Sequence, residues 1–314
     1  MLKSFTNFTL KLIHDLKECE VKYFVKTLIF ISFTVLLTCN HISIYHEDDV
    51  VAMGTINNPA IDEASGLAAS KLNQGLLWTH NDSGDRNRIF AISSSGEQIA
   101  TFYLKNATNR DWEDIAIGPG PEGETDYLYV GDIGDNKARY SKKYIYRVKE
   151  PRINRRSSTF DSTLNHVERI VFRLPDGERD CEALFVDPET ADIYIASKRE
   201  SQIHLYRLPF PQPVDSIFTA EFIGELPVTQ ITAGDISRDG SKILLKNYDN
   251  VYLWTRLKGR TIANALKNKP RQLPYHREPQ GEAVTWKPDG SGYYTTSEIN
   301  NDIPAVIYFY PFNQ

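Results

Sequence analysis

Carboxylates recur at matching points of a repeating unit along this chain. The segments are Glu63-Ala-Ser-Gly-Leu, Glu113-Asp-Ile-Ala-Ile, Glu182-Ala-Leu-Phe-Val and Glu282-Ala-Val-Thr-Trp. A fifth, Thr232-Ala-Gly-Asp235-Ile, fits the frame through Asp239-Gly240, which matches Asp289-Gly290. An apolar run ending in polar residues follows each one: Leu77 to Asp82, Tyr127 to Asp132, Ile193 to Lys198, Ile243 to Asn247 and Tyr293 to Glu298. If each unit places its acid at one repeated point, Glu63, Glu113, Glu182 and Glu282 meet Thr232 or Asp235 in a ring. Asp82, Asp132, Lys198, Lys246 and Glu298 then join from the next strand. So many carboxylates in one cavity must hold a cation, pair with lysine or take up protons. Oxygen donors of this kind suit Ca²⁺ or a similar hard ion.

Two loops carry the same donors. His80-Asn-Asp-Ser-Gly-Asp85 and Gly131-Asp-Ile-Gly-Asp135-Asn136 pack carboxylate, amide and glycine within a few residues, although without EF-hand spacing. A plain Asx-rich turn reads the same way. The metal set is therefore Glu63, Asp82, Glu113, Asp132, Asp135, Asn136, Asp235 and Glu282. In a catalytic reading, Glu182 or Glu298 serves as base, and Lys198 and Lys246 neutralise an anionic substrate. Trp112 reads either as a stacking platform at the rim or as buried packing. His80 reads as a hydrogen-bonded core residue. There is no Walker loop, no Gly-x-Ser-x-Gly elbow, no dinucleotide fingerprint and no zinc spacing.

The elements that must position these groups are short strands. Self-similarity at a period of ~40–50 residues marks a propeller or solenoid. The all-β reading gives four strands per unit and five blades. The fifth unit, 282–310, lacks an outer strand, which the apolar stretch 50–57 supplies, closing the ring and removing an open sheet edge. A sixth blade would have to hide between 150 and 180. Pro151 to Asn165 is basic and Ser/Thr-rich and reads as a surface loop. A short helix is expected between Arg260 and Lys269, ended by Pro270.

The N-terminus reads separately. Thr27 to Thr38 is uncharged and follows Lys22 and Lys26, as in a signal h-region. Leu36-Leu-Thr-Cys39 resembles a lipobox, so residues 1–39 are expected to be a signal peptide or lipoprotein leader with lipid on Cys39. The rival is an uncleaved anchor of ~19 residues reaching Tyr45. Residues 40–49 read as a tether and 50–314 as the propeller. Either way the body is expected outside the cytoplasm, as a cell-envelope lipoprotein or a membrane-anchored protein. Five of the 36 basic residues and three of the 41 acidic ones precede Cys39, leaving 31 against 38, a net charge of −7. That acidity argues against nucleic acid as partner. The expected partner is a small-molecule or glycan substrate, and the protein a monomer. Of the 3 cysteines only Cys181 lies in the body, so no disulfide framework exists there.

The motifs Glu-Ala-Ser-Gly-Leu, Asn-Asp-Ser-Gly, Asp-Trp-Glu-Asp-Ile-Ala, Gly-Asp-Ile-Gly-Asp-Asn, Cys-Glu-Ala-Leu and Gly-Glu-Ala-Val resemble those of a family of exported bacterial β-propeller proteins, over residues 57 to 310. More distantly the chain is similar to calcium-dependent propellers of the phytase and SMP-30/gluconolactonase type. The resemblance implies an acidic, calcium-binding channel that hydrolyses phosphoesters or lactones. No complete phytase or lactonase site matches residue by residue. Two other readings stay open: a glycoside-active enzyme using paired carboxylates, and a non-catalytic surface binding or scaffold protein.

Overall fold

The computed structural model describes residues 50–123, 125–154 and 158–312. The leader, Cys39 and the tether lie outside the described residues. No described helix is long and apolar enough to cross a membrane.

The chain is a five-bladed β-propeller. Blade one holds β2 (Ala64–Ala69), β3 (Leu76–Asn81), β4 (Arg88–Ser93), β5 (Gln98–Leu104) and β9 (Phe160–Leu164). Blade two holds β6 (Trp112–Pro119), β7 (Asp126–Asp132), β8 (Lys143–Lys149), β10 (Glu168–Arg173) and β14 (Ile217–Thr219). Blade three holds β11 (Cys181–Val186), β12 (Ile193–Ser197), β13 (Ile203–Leu208) and β15 (Glu221–Leu226). Blade four holds β16 (Ile231–Ile236), β17 (Lys242–Asn247), β18 (Val251–Thr255) and β19 (Arg271–Leu273). Blade five joins β20 (Gly281–Trp286), β21 (Gly292–Ser297) and β22 (Val306–Pro311) to β1 (Val51–Thr55). The closing strand thus pairs antiparallel to the last one, Val51 opposite Phe309 and Thr55 opposite Val306.

Burial explains the order of strands. β2, β3, β11, β12, β20 and β21 are buried on both faces, because each inner strand is sandwiched between neighbouring blades. The outer strands β1, β9 and β15 are largely exposed. Five apolar clusters fill the five interfaces between neighbours. Trp78 and Trp112 lie in the cluster between blades one and two, Tyr129 and Leu184 in that between two and three, and Phe185 and Trp254 in that between three and four. Val284 and Leu253 join four to five, and Phe90 and Ile307 join five back to one. That the fifth cluster links the first blade to the last is what makes the structure a ring. The short helix forms as α1 (Ile262–Leu266), with Thr261 as its N-cap.

The segment 151–165 corrects the sequence reading. Instead of a plain surface loop, it contains β9, which adds a parallel fifth strand to β5, Phe160 opposite Ala100. The polarity of Asp161, Ser162 and Thr163 suits an edge strand, whose side chains meet water. β14 does the same for blade two, pairing parallel with β10. Such edge strands rest only a few half-buried apolar side chains on the core, Phe160 and Leu164 in β9 and Phe218 in β14, too few to make an apolar alternation.

Candidate cation site at the acidic mouth

Every inner strand carries a β-bulge near its start. The registers skip one residue between Ala64 and Gly66, Trp112 and Asp114, Cys181 and Ala183, Ile231 and Ala233, and Gly281 and Ala283. The bulged residues are therefore Ser65, Glu113, Glu182, Thr232 and Glu282. A bulge leaves its extra residue out of the ladder and re-aims its side chain. Glu63 is thus out of frame: its structural equivalents, two positions before the bulge, are Asp111, Asp180, Gln230 and Gln280. It precedes β2 and is exposed, where Glu113, Glu182 and Glu282 are buried.

The frame builds two tiers at one end of the channel, with Asp82, Lys198, Tyr248 and Glu298 beside them at the ends of the second strands. Carboxylate oxygens of Asp82, Asp111 and Glu113 lie within 4.8 Å of one another, as do those of Glu113, Asp180 and Glu182. Glu113 belongs to both sets. The sequence frame, set on Glu63, missed Asp111 and Asp180; the small residue after four of the five bulges (Gly66, Ala183, Ala233, Ala283) is the signal that shifts it.

Around the rest of the mouth the charges pair. Lys198 Nζ lies 3.1 Å from Glu182 Oε1 and 3.9 Å from Glu282 Oε1. Tyr248 donates to Glu282 Oε1 at 2.6 Å, and Ser65 donates to the Glu113 carbonyl at 2.8 Å. Glu298 accepts from Gln280 and faces Glu282. Asp180 accepts from the Asp135 amide at 2.8 Å and from Arg199 Nε at 2.5 Å.

Burial raises the acids' proton affinity. Desolvation, then the charges of Glu182 and Asp82, holds Glu113 well above the usual carboxylate range. Desolvation lifts Asp82 to about 7, and Glu182 to about 7 in spite of Lys198. Glu298 rises to about 9 through burial and the Glu282 charge, and Asp111 rises through burial and Asp180. Eight carboxyl groups (Glu63, Asp82, Asp111, Glu113, Asp180, Glu182, Glu282, Glu298) outnumber the described cations whose charges reach them, Lys198, Arg110, Arg199, Lys143 and Lys246. Lys198 serves the Glu182 side, while Arg110 and Lys143 offset only the Asp111 part of the Asp82–Asp111–Glu113 triad.

The donor chemistry fits a hard cation. All ligand atoms in both sets are carboxylate oxygens. His80 is fully buried, donates through Nδ1 to the Asn81 carbonyl at 3.0 Å, and is pushed down to about 4 by desolvation, so it stays neutral. The Cys181 thiol is buried in the blade interface and pushed up to about 12. The cradle is tight at Gly134, where a methyl group would overlap the Glu113 carboxylate and come 2.6 Å from the Asp111 carboxyl carbon. Only glycine lets that backbone approach the acids so closely.

The remaining sequence candidates serve other ends. Asp132 is wholly buried; its Oδ1 accepts from the Asp111 amide at 3.1 Å and faces Arg110 Nε at 3.5 Å, so it orients the Asp111 segment. Asp135 closes its own loop by accepting from the Arg139 and Tyr140 amides at 2.8 and 2.7 Å. Asn136 is exposed and accepts from Arg199. Asp85 is held by Arg88 at 2.8 Å. Asp235 sits three residues beyond its bulge, toward the other end of the channel, where it accepts from Thr285 at 2.9 Å and the Trp286 amide at 2.7 Å. Lys246 belongs to neither carboxylate set: wholly buried, it donates to the Gly281 carbonyl and lies 3.8 Å from Glu278. Trp112 is wholly buried, its Nε1 donating to the Thr108 carbonyl at 2.9 Å, and offers no stacking face. Asp114 was not singled out in the sequence. It is wholly buried at the channel centre and accepts from Leu184 N at 2.9 Å and Gly234 N at 3.2 Å, tying blade two to blades three and four.

The fold and site define a five-bladed propeller with an acidic mouth. No family model and no curated protein matches the chain. Solved structures that resemble it include a PQQ-bound aldose sugar dehydrogenase from Streptomyces coelicolor (10% identity, TM-score 0.45, covering 83% of this chain and 97% of that one). The Dos1 propeller gives 14% identity and a TM-score of 0.36. A chain of the mitotic checkpoint complex gives 12% and 0.38, and this chain spans 61% of its length. Nothing these proteins bind transfers to this chain at such distances.

Proposed function

We propose that the acidic mouth binds a divalent, oxygen-preferring cation, Ca²⁺ foremost, and that the loaded site hydrolyses a phosphoester or lactone. The observation that carries this is Glu113, buried and shared between two three-carboxylate sets, with too few cations around it to balance the charge. Asp82, Asp111 and Glu113 would hold the ion. A bound cation polarises a phosphoryl or carbonyl oxygen and lowers the pKa of its water. Glu182, at about 7 beside Lys198, is placed to take a proton near neutral pH. Lys198 offsets charge on an anionic substrate. Lys246, buried toward Glu278, takes no part. An exported location, as the leader suggests, suits a carboxylate site of the weak extracellular kind.

A second reading rests on the placement of the acids. Asp82 belongs to blade one, Asp111 and Glu113 to blade two, and Asp180 and Glu182 to blade three, so a cation would also staple blades together. The experiment is turnover on phosphoester, lactone and glycoside panels with Ca²⁺ and with EDTA, for the wild type and Glu182→Gln. Calcium-dependent turnover lost in the variant supports the hydrolase. Thermal stabilisation by Ca²⁺ with no turnover supports the staple, and no response to Ca²⁺ removes both.

A further inference from the structure

The other end of the channel is built differently. Three turns that join inner strands to second strands meet there: the β2–β3 turn of blade one, the β16–β17 turn of blade four and the β20–β21 turn of blade five. They enclose a cavity of about 310 Å³ lined by Ser70, Lys71, Ser94, Arg238, Lys287 and Tyr294, among others. That is near the lower size of small-molecule sites. Its inner end narrows onto the channel between Pro188, Pro288 and Trp286.

Three cations line the cavity, and Asp235 lies at its inner end, accepting from Thr285 and the Trp286 amide. Asp289 is the one carboxylate of the cavity wall, and it is already engaged by Lys287 at 2.8 Å and by the Ser291 amide and hydroxyl. Lys71 reaches Asp126 at only 3.4 Å, outside the cavity. Arg238 is exposed and has no hydrogen-bond or ion-pair partner among the described residues. A second observation is independent of charge: Trp286 is 3% exposed, lines the inner end, and its indole Nε1 finds no acceptor among the described residues. A buried donor without a partner costs about 1–3 kcal/mol unless something accepts from it. Pro288 fixes the turn that carries Lys287, and Tyr294, Leu76 and Leu77 add apolar wall.

We propose that this mouth is a binding site for a small phosphate- or carboxylate-bearing molecule, held by Arg238, Lys71 and Lys287, separate from the cation site at the opposite mouth. Guanidinium and ammonium groups from three blades would converge on the anionic group, while the cavity wall packs on its body.

Calorimetric titration with inorganic phosphate, glucose 6-phosphate and succinate, each in NaCl of constant ionic strength, tests this, with indole fluorescence as a second readout. Saturable binding of at least one of the three is expected, weakened about 10-fold or more in Arg238→Ala. Preference for the first two assigns a phosphate group and preference for succinate a carboxylate. Arg238→Glu should abolish binding, and Asp111→Asn, at the other mouth, should leave it unchanged. Arg238 is an exposed turn residue, so both variants fold. Absence of saturable binding by all three, or binding that Arg238→Glu leaves intact, overturns the proposal.

Discussion

Glu113 and Glu182, bulged residues of neighbouring blades, bring their carboxylates within 4.8 Å of one another across the blade interface. Two like charges so close and so buried cannot both ionise freely. Without a cation the pair keeps a proton, and a metal ion would take that proton's place.

That exchange sets a pH dependence. Asp132 and Asp235 are raised to about 6, Asp82 and Glu182 to about 7 and Glu298 to about 9, all chiefly by burial. A raised acid holds its proton in the folded state where the unfolded chain has released it. Folding is therefore favoured at low pH, and stability is lost as pH rises through the folded values. The acids lowered to about 2, Asp239 and Asp289, act only below this window. In EDTA the Tm is expected to fall between pH 5 and pH 8, and Ca²⁺ to restore more of it at pH 8 than at pH 5, because the ion must displace protons. A Tm in EDTA that stays flat or rises over that range contradicts the charge excess.

Asp114 tests the channel as a structural unit. Replacing it by Ala leaves the buried amides of Leu184, Gly234 and Ile115 without their acceptor. A loss of about 3 kcal/mol or more follows, read as a Tm lower by roughly 6–12 °C. A change within about 1 °C would mean that water replaces the carboxylate at no cost.

Gly134 tests the cradle. Gly134→Ala should displace the Asp111 and Glu113 carboxylates and weaken Ca²⁺ binding about 10-fold or more, with a smaller effect on the metal-free Tm. Equal calcium affinity in the variant would place the ion elsewhere.

Ring closure gives a further outcome. Removing residues 50–55 strips β1 from β22, exposing an edge whose Ile307 and Phe309 are packed in the interface with blade one. Concentration-dependent association, measured by light scattering, is expected. A monomer with unchanged Tm would show that β1 is dispensable.

The blade count, the closing strand and most strand bounds were legible because inner strands are continuous apolar runs with polar ends. The bulges were not. Ala64-Ser65-Gly66 and Trp112-Glu113-Asp114 read as ordinary strand starts, so matching Glu63 to Glu113 seemed natural, and the slip by two hid Asp111 and Asp180. The direction of Lys246 was lost for the same reason. It shares a rung with Ala233, whereas Lys198 lies past the last rung, so the two lysines face different ways. Edge strand β9 carries no alternation because only its end residues, Phe160 and Leu164, rest on the core while the three between them meet water.

The most direct measurement is calorimetric Ca²⁺ titration of wild type and Glu113→Gln at pH 8. Glutamine keeps the shape but removes the shared charge. Saturable binding by the wild type, weakened about 100-fold in the variant, with the variant's metal-free Tm equal or higher, is the expected result. Equal binding by both proteins, or none by the wild type, would contradict a cation centred on Glu113.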